Sequence, residues 1–257
     1  MSGLQLQSVS KQFGGLRAVD DVSFSLPAAG IHALIGPNGA GKTTLFNLIS
    51  GRLTPTAGRL HFDGDDITGL PPHRVAARGI VRTFQLVRLF EDMSVAGNVA
   101  VGCHLHSRGG IGAALLRPRW VRRQERDIAD QCRDSLELVG LAAAAERPAG
   151  QLTYGHQRLL EIARAVAARP RLLLLDEPAA GLNASETAVL ADIIHAIAAR
   201  GIGVLLIEHD MELVMRIAAD IIVLDFGRKI AEGSPADIAK DPAVLAAYLG
   251  TAETEVA

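Results

Sequence analysis

Cysteine is almost missing from this chain of 257 residues: Cys103 and Cys132 are the whole complement. Neither has metal-site or disulfide-framework spacing, so both read as reduced, structural thiols. Long apolar runs are missing too. Nothing approaches the roughly 18 residues that a membrane-spanning helix needs. Met1-Ser2-Gly3-Leu4 lacks the basic-then-apolar order of a signal peptide. The expectation is a cytosolic chain that reaches a membrane only through partners. Charge of one sign is lacking as well. Lys and Arg number 26 against 28 Asp and Glu, a net −2, which gives no general attraction to nucleic acid or anionic lipid. The local exception is Arg117-Pro118-Arg119-Trp120-Val121-Arg122-Arg123-Gln124-Glu125-Arg126. It reads as a solvated helix face, with lipid head groups or RNA as the alternative. Repeats and low-complexity tracts are absent from the sequence.

What is there is a chain long enough for a full core, 49% apolar and 21% charged. Its most informative stretch is Gly36-Pro37-Asn38-Gly39-Ala40-Gly41-Lys42-Thr43-Thr44, which fits the P-loop pattern G-x-x-x-x-G-K-[ST]. Glycines let a backbone turn tightly and aim several N–H groups at one anion. Lys42 adds a positive charge for the outer phosphates, and the Thr43 hydroxyl suits Mg²⁺. Ile31 to Ile35 reads as a buried parallel strand before the loop. Leu45, Leu48 and Ile49 follow at helical spacing, so a helix N-terminus points at the anion.

Around this unit the pattern alternates. Leu4 with Leu6, then Val22, Phe24 and Leu26, predict strands with one wet face; Gly58 to Phe62 predicts another, followed by an Asp63-Gly64 turn. Ile80 to Phe84 predicts a strand ending at Gln85. From about 86 to 149 strand signals fade, and Ile128, Cys132, Leu136 and Val139 fall at helical spacing, which predicts a helical insertion. His104-Leu105-His106 suggests a strand with a histidine pair but no third metal ligand. Thr153 is a plausible N-cap for a helix that Pro170 stops. Leu172 to Leu175 and Val204 to Ile207 predict buried strands. The first delivers Asp176 and Glu177, the second Glu208, His209 and Asp210. Strand pairs follow at Ile221 to Leu224 and Arg228 to Ala231. The fold class expected is α/β with a parallel sheet.

Phosphoryl transfer needs a metal across the phosphates and an oriented, deprotonated water. Asp176, ending a hydrophobic strand, suits the metal together with Thr43. Glu177 beside it can act as base. His209, ending the next buried strand, is placed for a γ-phosphate contact. Gln85 can reach the metal or its water through its side-chain oxygen.

These motifs in this order resemble the nucleotide-binding subunit of an ATP-binding cassette (ABC) transporter, over about Leu4 to Leu249. The resemblance implies a RecA-like P-loop NTPase sheet with an antiparallel β subdomain and a helical subdomain. It implies one domain over 1–250, with a core from 1–85 and 150–250, an insertion at 86–149 and a tail at 251–257. ATP and Mg²⁺ are the implied ligands. Phe13 takes the place of the aromatic that stacks on adenine, with Val19 beside it. Gln85 senses the metal, joining Thr43 and Asp176 there. Thr153 and Gly155 belong to a signature motif that binds the ATP of an opposite subunit. Glu177 is the implied base and His209 the switch histidine, while Ala180-Gly181-Leu182-Asn183 crosses the dimer interface. The usual L-S-G-G-Q signature is Leu152-Thr153-Tyr154-Gly155-His156 here. The hydroxyl and the open glycine N–H survive, but His156 replaces Gln.

Several segments are similar to branched-chain amino acid importers: Arg82-Thr83-Phe84-Gln85, Glu161-Ile162-Ala163-Arg164, Asp176 to Asn183, Ile207 to Met211 and Ala247-Tyr248-Leu249-Gly250. His104 to Arg126 resembles the larger of their two ATPase subunits. The implied partners are a second ATPase subunit, two transmembrane permeases and, indirectly, a soluble substrate-binding protein. The implied place is the cytoplasmic face of the membrane. Import of urea or short-chain amides and export of lipopolysaccharide are the alternative cargos.

Overall fold

The structure is a computed structural model and describes residues 3–83, 88–106 and 119–252. The described strands are β1 (Gly3–Phe13), β2 (Leu16–Pro27), β3 (Ile31–Ile35), β4 (Ala57–Phe62), β5 (Asp65–Asp66), β6 (Ile80–Arg82), β7 (Leu172–Asp176), β8 (Gly203–Ile207), β9 (Asp220–Asp225) and β10 (Arg228–Gly233). The described helices are α1 (Lys42–Ile49), α2 (Pro72–Ala77), α3 (Val95–Gly102), α4 (Arg119–Leu138), α5 (Tyr154–Ala167), α6 (Ala184–Ala199), α7 (Met211–Ile217), α8 (Pro235–Ile238) and α9 (Pro242–Ala252). They cluster into two compact units. One draws on Met1–Arg82, Arg171–Ala180 and Ile197–Ala257, the other on Thr83–Pro170 and Gly181–Ala196.

The first unit holds both sheets. An antiparallel sheet runs β2-β1-β4-β5, with Leu6 opposite Phe24 and opposite Leu60. The second runs β10-β9-β3-β8-β7-β6; all neighbours are parallel except the β9–β10 hairpin at its edge. β3, β7 and β8 are buried along their whole length. Their unbroken apolar runs reflect that, since a parallel strand covered on both faces has no wet side to alternate with. Phe46 of α1 and Phe62 of β4 share one core with Leu34, Leu174, Leu205 and Ile207. Fully burying a side chain of this size contributes about 1.5–3 kcal/mol.

Strand order is what positions the site. β8 lies between β3 and β7, with Ile207 opposite both Leu34 and Asp176. The loops leaving the C-terminal ends of the three strands therefore emerge side by side, the edge where parallel sheets bind ligands.

The second unit is helical. Ser94 caps α3 by accepting from Gly97 N at 3.0 Å, and Thr153 caps α5 by accepting from His156 N at 3.4 Å. On α4, Cys132 and Leu136 are buried while Arg122, Arg123 and Arg126 are exposed, so the described part of the basic run is a solvated face. Cys103 and Cys132 are both free and buried, with a hydrogen bond between the thiols. Cys103–His106 is a 3-10 turn, not the strand expected there. This unit also runs on past residue 149, where the insertion was expected to close. It takes in α5 because that helix packs its apolar face on α3 and α4.

Candidate active site

The P-loop leaves β3 and enters α1. Gly36, Gly39 and Gly41 have φ of 149°, 80° and 98°. A Cβ on Gly36 would sit 2.0 Å from Leu224 O, and one on Gly41 2.4 Å from Ala18 O. The loop is thus pressed against neighbouring backbone, and only glycine fits there. Gly41 caps α1 without any side-chain hydrogen bond, and no acid occupies the first turn. The N–H groups of that turn stay available to an anion. Lys42 is buried, its Nζ donating to Gly36 O at 2.7 Å and Pro37 O at 2.9 Å. Burial holds its ammonium below the ordinary lysine value, against the opposing charge of Glu177.

A cleft of about 470 Å³ opens over this loop. Asn38 through Thr44 line it, together with Glu177 and His209. Glu177 has φ 48°, a left-handed conformation that costs a non-glycine residue energy and concentrates at functional sites. Its N–H donates to Ile207 O at 3.0 Å, and its Oε1 lies 3.0 Å from His209 Nε2. Phosphate cradle, carboxylate and imidazole therefore share one wall.

Other expected residues sit elsewhere. Gly36 and Pro37 are not on the cleft wall; their carbonyls accept from Lys42. Val19 is buried in the core. Phe13 ends β1 half exposed, with Lys11 Nζ 5.1 Å from its ring centroid, and is not on the cleft wall. Asp176 is 3% exposed, and its Oδ2 accepts from Arg82 NH2 at 2.6 Å. Gln85 lies outside the described residues. Thr153 and Gly155 belong to the second unit. There a Cβ on Gly155 would meet Glu186 Oε1 at 2.5 Å, and one on Gly181 would meet the Tyr154 ring at 2.9 Å. The turn at Thr153–Gly155 and the loop at Gly181–Asn183 are thus in direct contact.

Three residues make contacts that the sequence reading did not assign. Arg82 donates to Asp176, to Asn47 Oδ1 at 2.7 Å and to Ser50 Oγ at 3.2 Å, and lies over the Phe46 ring at 5.5 Å. An arginine inside a short apolar strand was the available signal. Buried Glu208 accepts from Ala179 N at 2.7 Å and His209 N at 3.0 Å, tying the loop after β7 to the loop after β8. Burial raises its carboxyl, partly offset by those N–H donors. Tyr248 of α9 accepts from the Gly36 N–H; burial pushes its phenol up.

The cradle fits a nucleoside triphosphate: fixed N–H donors, one cation and an open cleft meet a polyanion. Thr43 and Asp176 offer hard oxygen donors. That suits Mg²⁺ with few protein ligands, phosphate and water completing the shell. No cluster of three or more acids, histidines or cysteines suited to a metal occurs among the described residues.

Comparison with known proteins agrees. A family model described as ABC transporter matches residues 19–180, and one described as Branched-chain amino acid ATP-binding cassette transporter matches 228–254. The high-affinity branched-chain amino acid transport ATP-binding protein BraF of Pseudomonas aeruginosa is 46% identical over 250 residues, 97% of this chain and 98% of its own. LivG of Escherichia coli K12, of the same description, is 44% identical over the same shares. An ATP-binding cassette of an ABC transporter in its ADP conformation superposes with a TM-score of 0.85 at 32% identity, covering 97% of this chain and 99% of its own. A nucleotide-free cassette gives 0.81 at 32%, covering 96% and 99%. The chain has the P-loop NTPase fold and belongs to the ATP-binding subunits of ABC transporters, the ATPases that couple ATP hydrolysis to transport.

Proposed function

We propose that this chain is the energy-coupling ATPase of a branched-chain amino acid importer. The observation that carries the hydrolytic half is Glu177 Oε1 at 3.0 Å from His209 Nε2 on the wall of the P-loop cleft. The cargo rests on relatives named for branched-chain amino acid transport at 44–46% identity. The proposed extent is one cassette over 1–250.

In this reading the P-loop N–H groups and Lys42 bind the β- and γ-phosphates of ATP. Glu177 takes the proton of the attacking water, and His209 holds Glu177 and contacts the γ-phosphate. Thr43 and Asp176, with Gln85, would hold Mg²⁺, which neutralises phosphate charge when bound. Phe13 is the residue the resemblance puts near the base, with Val19 behind it. Thr153 and Gly155 serve the ATP of a second ATPase subunit, so closure of the pair depends on contacts made only when ATP is bound. Exposed Phe90 and its neighbour Leu89 form a surface for the permeases. Among the described residues no helix is long and apolar enough to cross a membrane, so attachment is peripheral in this reading. A soluble binding protein delivers cargo to the permeases.

Glu177→Gln should bind ATP as the parent does while phosphate release falls by about 10² or more. Unchanged turnover refutes the base. Reconstituted with its permeases, the complex should take up leucine, isoleucine and valine in an ATP-dependent way; uptake of urea instead refutes the cargo.

A further inference from the structure

The β9–β10 hairpin turns through Phe226 and Gly227, with φ of 42° and 80°. Two consecutive left-handed residues make the turn that favours Asn-Gly or Asp-Gly, because short polar side chains tolerate that conformation and bulky ones do not. Another such turn follows the rule: Asp63 and Gly64 have φ of 53° and 89°, and Asp63 Oδ1 accepts from Gly3 N at 2.7 Å. Here a phenylalanine stands in the same place. It recovers nothing by packing: Phe226 is 85% exposed. A strained backbone carrying an aromatic ring into water is unfavourable twice over.

The turn is held rigidly beside the phosphate cradle. Gly227 N donates to Ala40 O at 3.0 Å, and Gly227 O accepts from Asp20 N at 2.8 Å. Arg228 donates twice to Asp20 Oδ2, at 2.9 and 2.7 Å. Phe226 therefore stands on the wall of the P-loop cleft, facing the same space as Asn38 and Lys42. Leu16, 68% exposed at the start of β2, is the other large apolar side chain on that wall. A nucleoside triphosphate has one large flat group that gains from an aromatic partner, its base.

We propose that Phe226 is a base-contacting residue, an apolar platform that with Leu16 receives the base of the nucleotide whose phosphates the P-loop holds. This rests on the reading of the cleft as an ATP site and adds a contact from the C-terminal hairpin. Phe13, with Lys11 over its ring, is off this wall, so the contact at Phe226 is additional to the one the resemblance gives Phe13.

The test is calorimetric titration of the full-length protein with ATP and, separately, with inorganic tripolyphosphate, which has the phosphates and no base. Phe226→Ala and Phe226→Asn should each weaken ATP about tenfold, the worth of one stacked base, and leave tripolyphosphate within about twofold of the parent. Phe226→Asn should also melt higher than the parent, because Asn relieves the turn. That gain shows the lost affinity is not misfolding. Unchanged ATP affinity in both variants overturns the proposal, including the case where only association between two cassettes is impaired. Equal weakening of ATP and tripolyphosphate also overturns it, since the ring would then act on the phosphate loop. A parent protein that binds neither ligand overturns the ATP reading itself.

Discussion

Arg82→Met is the most direct probe of how the buried Asp176 carboxylate is held. The substitution keeps the buried stem and deletes the guanidinium. Arg82 and Asp176 are 9% and 3% exposed, and their 2.6 Å contact joins β6 to the end of β7. Removing one partner of a buried ion pair leaves the other charge without compensation, which costs about 3–5 kcal/mol. The guanidinium also gives up its hydrogen bonds to Asn47 and Ser50 and its place over Phe46. Asp176 keeps further interactions of its own, which pulls the cost toward the lower figure. At about 3 kcal/mol, and about 2–4 °C per kcal/mol for a chain of this size, the melting temperature should fall by about 6–12 °C. Thermal melting of the purified full-length protein reads this. Asp176→Asn makes the cycle: it should be costly in the parent and far less so in the Arg82→Met background, a coupling of about 2 kcal/mol. A melting shift under about 2 °C, or an Asp176→Asn cost equal in both backgrounds, refutes the argument.

Gly36→Ala should destabilise the protein by more than about 2 kcal/mol and abolish ATP binding, because its Cβ would lie 2.0 Å from Leu224 O; a calorimetric titration with ATP checks the second effect. Glu208→Ala should cost about 1–3 kcal/mol through the orphaned N–H groups of Ala179 and His209 and lower turnover more than ATP affinity; parallel phosphate-release and binding assays separate the two. Gly155→Ala should displace the Glu186 carboxylate from Asn183 N, a 3.0 Å bond, impairing association of two cassettes while ATP binding to one chain persists; gel filtration with ATP reads this. His32 is buried, and burial holds its imidazole below the ordinary histidine value. The unfolded chain then binds the proton more readily, so this contribution is complete above about pH 6.5 and lost as pH falls below it. His32→Gln should flatten the dependence of urea midpoint on pH between about 7 and 5.

Residues near in sequence and chemically extreme decide much of this protein by themselves. Gly36 to Thr44 specify a phosphate cradle locally, because glycine dihedrals and a helix N-terminus need no distant partner. The apolar runs at Ile31, Leu172 and Val204 specify buried parallel strands by lacking a wet face. Asp176, Glu177 and His209 follow as strand-end residues. Tertiary structure decided what depends on strand order and long-range pairing. Asp176 meets Arg82 across 94 positions, Glu208 meets Ala179 across 29, and Asp20 meets Arg228 across 208. No periodicity marks such pairs, since a single arginine or glutamate carries no repeat. The same limit hid α5's place in the helical unit, which packing on α3 and α4 settles. It also hid Phe226: an exposed aromatic in a turn means little in sequence, and becomes notable only where folding sets it over the P-loop cleft.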